Sequence, residues 1–230
     1  MTPTRLTAIS SMATRQVLAE LAQAYRERTG VEVAVESVGG VDAARRVQAG
    51  ERFDAVFLAA DALERLMASG HVLAGSRVDL MRSAVAVAVR QGAVLPDVST
   101  EAALRQAVCA ARSIGYSTGP SGVALAALFE RWGIMDAIRP RIVTPPPGVA
   151  VASLVATGEV ELGFQQRSEM LHVPGITLLG DLPPEVAIET VFAGGVAASS
   201  LQPEAVRQCL AFMAGPDAAA AKRRQGMEPA

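Results

Sequence analysis

The chain has 230 residues, half of them hydrophobic and 19% charged, with 21 basic against 23 acidic side chains and a net charge of −2. This composition excludes a disordered chain, a basic nucleic-acid surface and an acidic tail, and it supplies apolar material for one large domain or two small ones. Aromatic residues make up 4% of the chain, too few for a platform that stacks single-stranded bases, so nucleic acid is not an expected partner.

In chain order the periodicity alternates between short apolar runs and helical stretches. Residues 6–9 read as a strand, and 14–27 as a helix with Val17, Leu18, Leu21 and Tyr25 on one face. Thr29 and Gly30 end that helix. Residues 31–37 alternate like a second strand, and Gly39-Gly40 breaks them. A helix follows over 42–49, closed by Gly50, then a buried strand over 53–59 and a helix to Ser69 that Asp61 is expected to cap.

The run 83–89 is apolar apart from its edge at Ser83, as a strand buried on both faces should be. Further elements follow: a helix over 100–111 capped by Ser99 or Thr100, a strand over 112–116, a turn over 119–122 and a helix to Trp132. Residues 141–143 form a strand stopped by Pro145-Pro146-Pro147-Gly148. A helix over 149–157 ends at Gly158, and strands are expected over 161–165 and 189–198. Helices over 203–214 and 217–225 close the chain.

Such alternation implies βαβ units, with parallel sheets and helices on both faces. One sheet of this length would be wide, and two sheets of about 100 residues each fit domain sizes better. Cys109 and Cys209 sit on apolar helical patterns and read as small buried core residues, with their pairing left open. No run of about 18 or more apolar residues occurs, so no membrane insertion is expected. The opening MTPTRLTAISS lacks a charged leader and apolar run. The expected location is periplasmic if a leader has been removed and cytoplasmic if Met1 is the native start.

In open α/β folds ligands sit at the carboxyl ends of strands, where loops meet helix N-termini. Four such junctions are polar or glycine-rich. Ser10, Ser11, Met12 and Thr14 place hydroxyls and backbone N–H groups at a helix start, which suits an anion as well as plain capping. Gly39 and Gly40 let backbone approach a ligand, or form a turn with Asp42 as cap. Ser117, Thr118, Gly119, Pro120, Ser121 and Gly122 put three hydroxyls into one turn, more than capping requires. Gln165 and Gln166 offer adjacent amides at a strand end, or ordinary loop polarity. All these donors are neutral.

His71 and His172 stand apart from other metal-ligating side chains, so neither a metal nor a cofactor is expected. No GxSxG, P-loop or GxGxxG motif occurs.

Several segments together resemble the molybdate-binding-protein family of type II periplasmic solute-binding proteins over most of the chain. They are the strand and turn from Phe53 to Asp61 (FDAVFLAAD), the helix end from Ala44 to Gly50 (ARRVQAG), Pro120-Ser121-Gly122, and Thr157 to Gly163 (TGEVELG) with Gln166 after it. The resemblance implies an α/β fold of two lobes, each a mostly parallel sheet flanked by helices. Lobe I would be 1–82 plus 190–230 and lobe II 83–189, with a ligand cleft between them and hinges near 81–83 and 185–190. Carried over, the contacts to a small anion are Ser10, Ser11, Gly39, Gly40, Ser121, Gly148 and Gln166, with Met12, Ala60, Ser117, Thr118 and Arg15 as weaker candidates. The family has serines where Gly39-Gly40 stand and commonly Tyr at Gln166. These departures move the expected occupant from molybdate towards an organic acid.

The whole chain, and ISSMATRQ and STGPSG in particular, is also similar to isomerase members of this superfamily of the aconitate-isomerase kind. Two functions follow as expectations. One is a solute-binding protein that delivers a small anion to the membrane component of an ABC transporter. The other is an isomerase that shifts a proton along an unsaturated polycarboxylate and so needs a base and an anion clamp. Glu36 and Asp61 are the nearby carboxylates, and Arg15 and Arg45 are candidate partners for substrate carboxylates, although an exposed strand position for Glu36, a cap for Asp61 and solvated helix faces for the arginines suit these side chains better. A sensing module of a regulator is a weaker third reading, because no DNA-binding helix pair adjoins the fold.

Overall fold

The computed structural model describes residues 5–146 and 148–230. Residues 1–4 of the opening segment and Pro147 of the proline stop, both used above, lie outside the described residues. In chain order the elements are β1 (Arg5–Ser11), α1 (Arg15–Thr29), β2 (Glu32–Val38), α2 (Gly40–Gln48), β3 (Ala55–Ala59), α3 (Ala60–Ala68), β4 (Val78–Arg90), α4 (Glu101–Ala110), β5 (Ile114–Tyr116) and α5 (Pro120–Arg131). Then come α6 (Met135–Ile138), β6 (Ile142–Val143), α7 (Val151–Thr157), β7 (Leu162–Gln166), α8 (Arg167–Met170), β8 (Ile176–Asp181), β9 (Glu189–Val196), α9 (Pro203–Ala214), α10 (Ala219–Arg224) and β10 (Glu228–Pro229).

The chain forms two compact units, Met1–Ser83 with Val191–Ala230, and Ala84–Thr190. In the first, β2, β1 and β3 run parallel, with Ser11 beside Val38 and Ser10 beside both Ser37 and Phe57. β9 joins β3 antiparallel, and β10 pairs antiparallel with β4. Side-chain alternation along β3 explains its unbroken apolar run. Ala55 and Phe57 enter a core with Leu18, Leu21, Leu210 and Met213, while Val56 and Leu58 enter another with Ile9, Leu63 and Leu66. A strand buried on both faces needs hydrophobic residues at every position.

In the second unit β7, β5 and β6 run parallel, and β4 is antiparallel to both β7 and β8. Val85, Val87 and Val89 of β4 face a core with Leu104, Val108, Leu125, Phe129 and Phe164. Ala86 and Ala88 face the other side, against Ala152 and Met170. The Phe129 and Phe164 rings meet edge to face at 5.9 Å, a geometry that adds about 1 kcal/mol beyond their burial. Gly115 and Gly163 are partners across β5 and β7. A Cβ on Gly163 would stand 2.3 Å from Val155 Cγ2, and one on Gly115 would stand 2.8 Å from Val160 Cγ1. These two bare positions let α7 lie directly on the sheet.

Several local expectations are corrected. β3 runs straight into α3, so Ala59 occupies the N-cap and Asp61 lies in the first turn, paired with Arg65 instead of capping. Gly39 likewise takes the cap position of α2, and Asp42, the expected cap, lies in its first turn. Cys109 is exposed, not buried, because it falls on the outer face of α4, whereas Cys209 is buried as expected; both are free thiols. The elements α6, α8, β8 and β10 were not anticipated. Among the described residues no helix is long and apolar enough to cross a membrane.

Candidate functional site

Parallel pairing aligns the carboxyl ends of β1, β2 and β3 along one edge of the first unit, where α1, α2 and α3 begin. Ser10 is fully buried, and its hydroxyl lies 2.7 Å from that of Ser37. Ser11 is nearly buried; its Oγ lies 3.5 Å from Thr14 Oγ1, which in turn donates to the Ser11 carbonyl. A Cβ on Gly40 would lie 3.5 Å from Ser11 Cβ, so the first and second junctions adjoin. Met12 and Ala60 are half-buried at the same edge.

The other first-unit candidates face different surroundings. Arg15 and Glu36 line a surface cavity of about 570 Å³ along α1 and the edge strand β2, with Gln23, Arg26, Glu32 and Ser37. Glu36 forms an ion pair with Arg46, which also binds Glu51, and this hydrogen-bonded guanidinium holds the Glu36 carboxyl below its usual range. Asp61 is exposed and paired with Arg65, and Arg45 is paired with Asp42. A carboxylate fixed in its charged form by arginine is a weak proton acceptor. The pairing of Glu36 therefore leaves it poorly suited to a base's role.

In the second unit the carboxyl ends of β5, β6 and β7 share an edge. Ser121 is buried in the first turn of α5, Ser117 is half-buried and Thr118 exposed. Among the described residues no side-chain hydrogen bond occupies any of these three hydroxyls. Gly122 is dictated by contact, since a Cβ there would come within 1.6 Å of the Ser117 carbonyl oxygen. Gly148 adopts φ 81 in the turn before α7, a left-handed conformation natural to glycine.

Gln166 is buried, and its Nε2 donates to Thr190 Oγ1 at 2.8 Å while its Oε1 has no partner. A half-turn of the amide would exchange donor and acceptor, and in either orientation one end stays open. Its neighbour Gln165 points the other way, and its Oε1 accepts from the Ala152 N–H at 3.0 Å. One helical turn beyond Gln165, burial pushes the Glu169 carboxyl up to about 7, and a hydrogen bond from the Gln165 side chain draws it part of the way back.

Thr190 and Glu169 were both missed in the sequence. Thr190 sits in an alternating strand 24 residues from Gln166, with nothing local to mark it. Glu169 falls in a four-residue helix that reads as loop polarity. Its one signal is a carboxylate directly after a buried strand end. Among the described residues no group of three or more His, Cys, Asp or Glu is placed to hold a metal ion.

Polar strand ends feeding helices, in two α/β units joined by two chain crossings, define the class of type II periplasmic binding proteins. The fold matches the periplasmic molybdate-binding protein of Azotobacter vinelandii with a TM-score of 0.81, at 21% identity over 96% of this chain and 98% of that one. It matches the sulfate-binding protein SubI of Mycobacterium tuberculosis with a TM-score of 0.81, at 15% identity over 98% of this chain and 87% of that one. The chain belongs to the bacterial extracellular solute-binding protein family, whose sequence model spans residues 6–228. It is 39% identical over 234 aligned positions to the aconitate isomerase of a Pseudomonas species, covering 98% of this chain and 88% of that protein.

Proposed function

We propose that the protein binds a small unsaturated polycarboxylate of the aconitate type and isomerises it by an allylic proton shift. The observation that carries this reading is the uncompensated polar set at the ends of β5 and β7. The open end of the Gln166 amide is buried without a partner, and at the start of α5 the Ser121 hydroxyl makes no side-chain hydrogen bond among the described residues. A buried polar group left unpaired costs about 1–3 kcal/mol, so such atoms are expected to meet a ligand. Neutral hydroxyl and amide donors suit carboxylate oxygens, and in the first unit Ser10, Ser11 and the Gly39-Gly40 backbone offer the same chemistry. The glycines leave room for a ligand larger than a tetrahedral oxyanion. The 39% identity to an aconitate isomerase along nearly the whole chain supports proton transfer as the chemistry.

A second reading keeps the anion site without turnover: a binding protein that passes its ligand to a transporter's membrane component. Family membership favours it. Incubation of the pure protein with trans-aconitate, followed by ultraviolet absorbance, separates the two. The proposal expects conversion to an equilibrium mixture of isomers. Tight calorimetric binding with no conversion at high protein concentration leaves the binding reading alone.

A further inference from the structure

The outer edge of the first unit's sheet combines an open strand, a cavity and uncompensated charge. β2 hydrogen-bonds β1 on one side, and among the described residues no strand pairs with its other side. Alternate residues of such an edge turn their backbone N–H and C=O groups outward, ready to bond another extended chain. Beside this edge, between β2 and α1, runs the cavity of about 570 Å³.

Its charges do not cancel. Glu32 and Glu36 of β2 are countered by Arg5 and Arg46, neither of which lines the cavity. Arg15 and Arg26 of α1 line it and are exposed, and among the described residues neither forms an ion pair or a side-chain hydrogen bond. Arg28 on the same helix, outside the cavity, is paired with Asp217. Two positive charges are therefore left over in the groove.

We propose that this groove docks an acidic, extended segment of a partner protein, which adds to β2 as a further strand and sets two carboxylates against Arg15 and Arg26. The proposal does not rest on the isomerase reading. Strand addition of this kind takes affinity from main-chain hydrogen bonds and specificity from alternate side chains. Arg15 and Arg26 stand about three helical turns apart, roughly 16 Å along α1. In an extended chain, side chains four positions apart share one face and are separated by about 13 Å, a span that two long arginine side chains close. The exposed Ala19 and the buried Ala22 lie between the arginines, and these small side chains leave room for the residue midway between the two carboxylates.

The alternation of β2 shows which face of the added strand carries the acids. Val33 and Val35 pack with Leu18, Leu21 and Ala22 on the α1 side. Val38 packs with Ala43 and Val47 of α2, and Glu36 pairs with Arg46 of that helix. The same alternation argues against a second copy as the occupant. Two copies joined by a twofold axis through this edge must run antiparallel, since a parallel pair would set N–H against N–H. Antiparallel pairing keeps the faces, so the second β2 would bring Val33, Val35 and Ser37 to the arginines, and no carboxylate.

The test uses a labelled synthetic peptide of alternating valine and threonine, with blocked ends and two glutamates four positions apart, titrated into the protein by fluorescence anisotropy. Arg15→Ala and Arg26→Ala are each expected to lower affinity by about fivefold, the upper range for an exposed ion pair. The double variant should lose about the product, because the two positions are too far apart to couple. Moving the second glutamate to three positions from the first puts the carboxylates on opposite faces and should cost as much as removing one arginine. Hydrogen exchange over β2 should slow when the peptide binds, as its outward N–H groups gain partners. Both arginines are exposed, so the variants should melt with the wild type, and Arg26→Ala should keep wild-type affinity for aconitate, which separates this test from that of the isomerase reading. No measurable binding, equal affinity for the two spacings, or equal affinity of wild type and double variant overturns the proposal. Binding without protection of β2 overturns it too, since charge attraction alone would then suffice. Protection of β2 that grows with protein concentration in the absence of peptide would make the occupant a second copy, and displacement of the peptide by an equal concentration of succinate would make the groove a small-anion site; either result overturns it.

Discussion

Thr190 Oγ1 accepts a hydrogen bond from Gln166 Nε2 at 2.8 Å and so fixes a buried amide whose other end is open. Thr190→Val keeps the shape and deletes that partner. The amide is then free to turn, and ligand affinity should fall by about 1 kcal/mol, the net value of one neutral hydrogen bond. Calorimetric titration with aconitate checks this, and a melting temperature close to wild type shows that the unit stays folded.

Ser121→Ala tests the donor set directly. Ser121 is a buried residue in the first turn of α5, and among the described residues its hydroxyl makes no side-chain hydrogen bond. Its loss should weaken carboxylate binding by about 1.5–3 kcal/mol, the value for a hydrogen bond to a charged group. Ser11→Ala should cost less, because the Ser11 hydroxyl is shared with Thr14 at 3.5 Å. Equal affinity for wild type and Ser121→Ala would place the ligand elsewhere.

Gly122 and Gly39 should respond differently to alanine. A Cβ at Gly122 would overlap the Ser117 carbonyl oxygen at 1.6 Å, whereas one at Gly39 meets Asp42 Oδ2 at an ordinary 3.5 Å. Gly122→Ala should therefore destabilise the protein by about 3 kcal/mol, as overpacking against backbone does. Gly39→Ala should stay within about 0.5 kcal/mol of wild type. Urea denaturation of the two variants measures the contrast.

Much of this was legible in the sequence, and the remainder failed for identifiable physical reasons. Junction hydroxyls and glycines are visible because a strand followed by a helix fixes where the ligand-facing turn falls. The apolar run from Ala55 to Ala59 marks a doubly buried strand, which begins two residues later than the expected 53–59, after Asp54. Asp61 misled because β3 passes into α3 with no loop, which shifts the cap to Ala59. Cys109 misled because α4 has only Leu104 and Val108 fully buried, and the next position already faces outward. Thr190 and Glu169 matter through tertiary neighbours and burial, which local pattern does not encode.

The raised Glu169 carboxyl also makes a stability prediction that is independent of catalysis. Its ordinary value is 4.5 and its folded value about 7, so the native state holds the proton more tightly than the unfolded chain. The contribution is fully present below pH 4.5 and is lost as pH rises through 7. Its size is roughly 2–3 kcal/mol after allowance for the partial exposure of the side chain. Glu169→Gln should remove this downward slope, and the difference between wild-type and variant urea midpoints at about pH 5 and about pH 8 reads it out.

The central claim is that this solute-binding fold isomerises an unsaturated polycarboxylate. Proton NMR of trans-aconitate incubated with the wild-type protein at neutral pH tests it most directly. The account predicts that the cis isomer's vinylic and methylene signals grow in until the two isomers reach equilibrium, at a rate proportional to protein concentration. A trans-aconitate spectrum unchanged at high protein concentration, in a sample shown by calorimetry to bind the ligand, would contradict it.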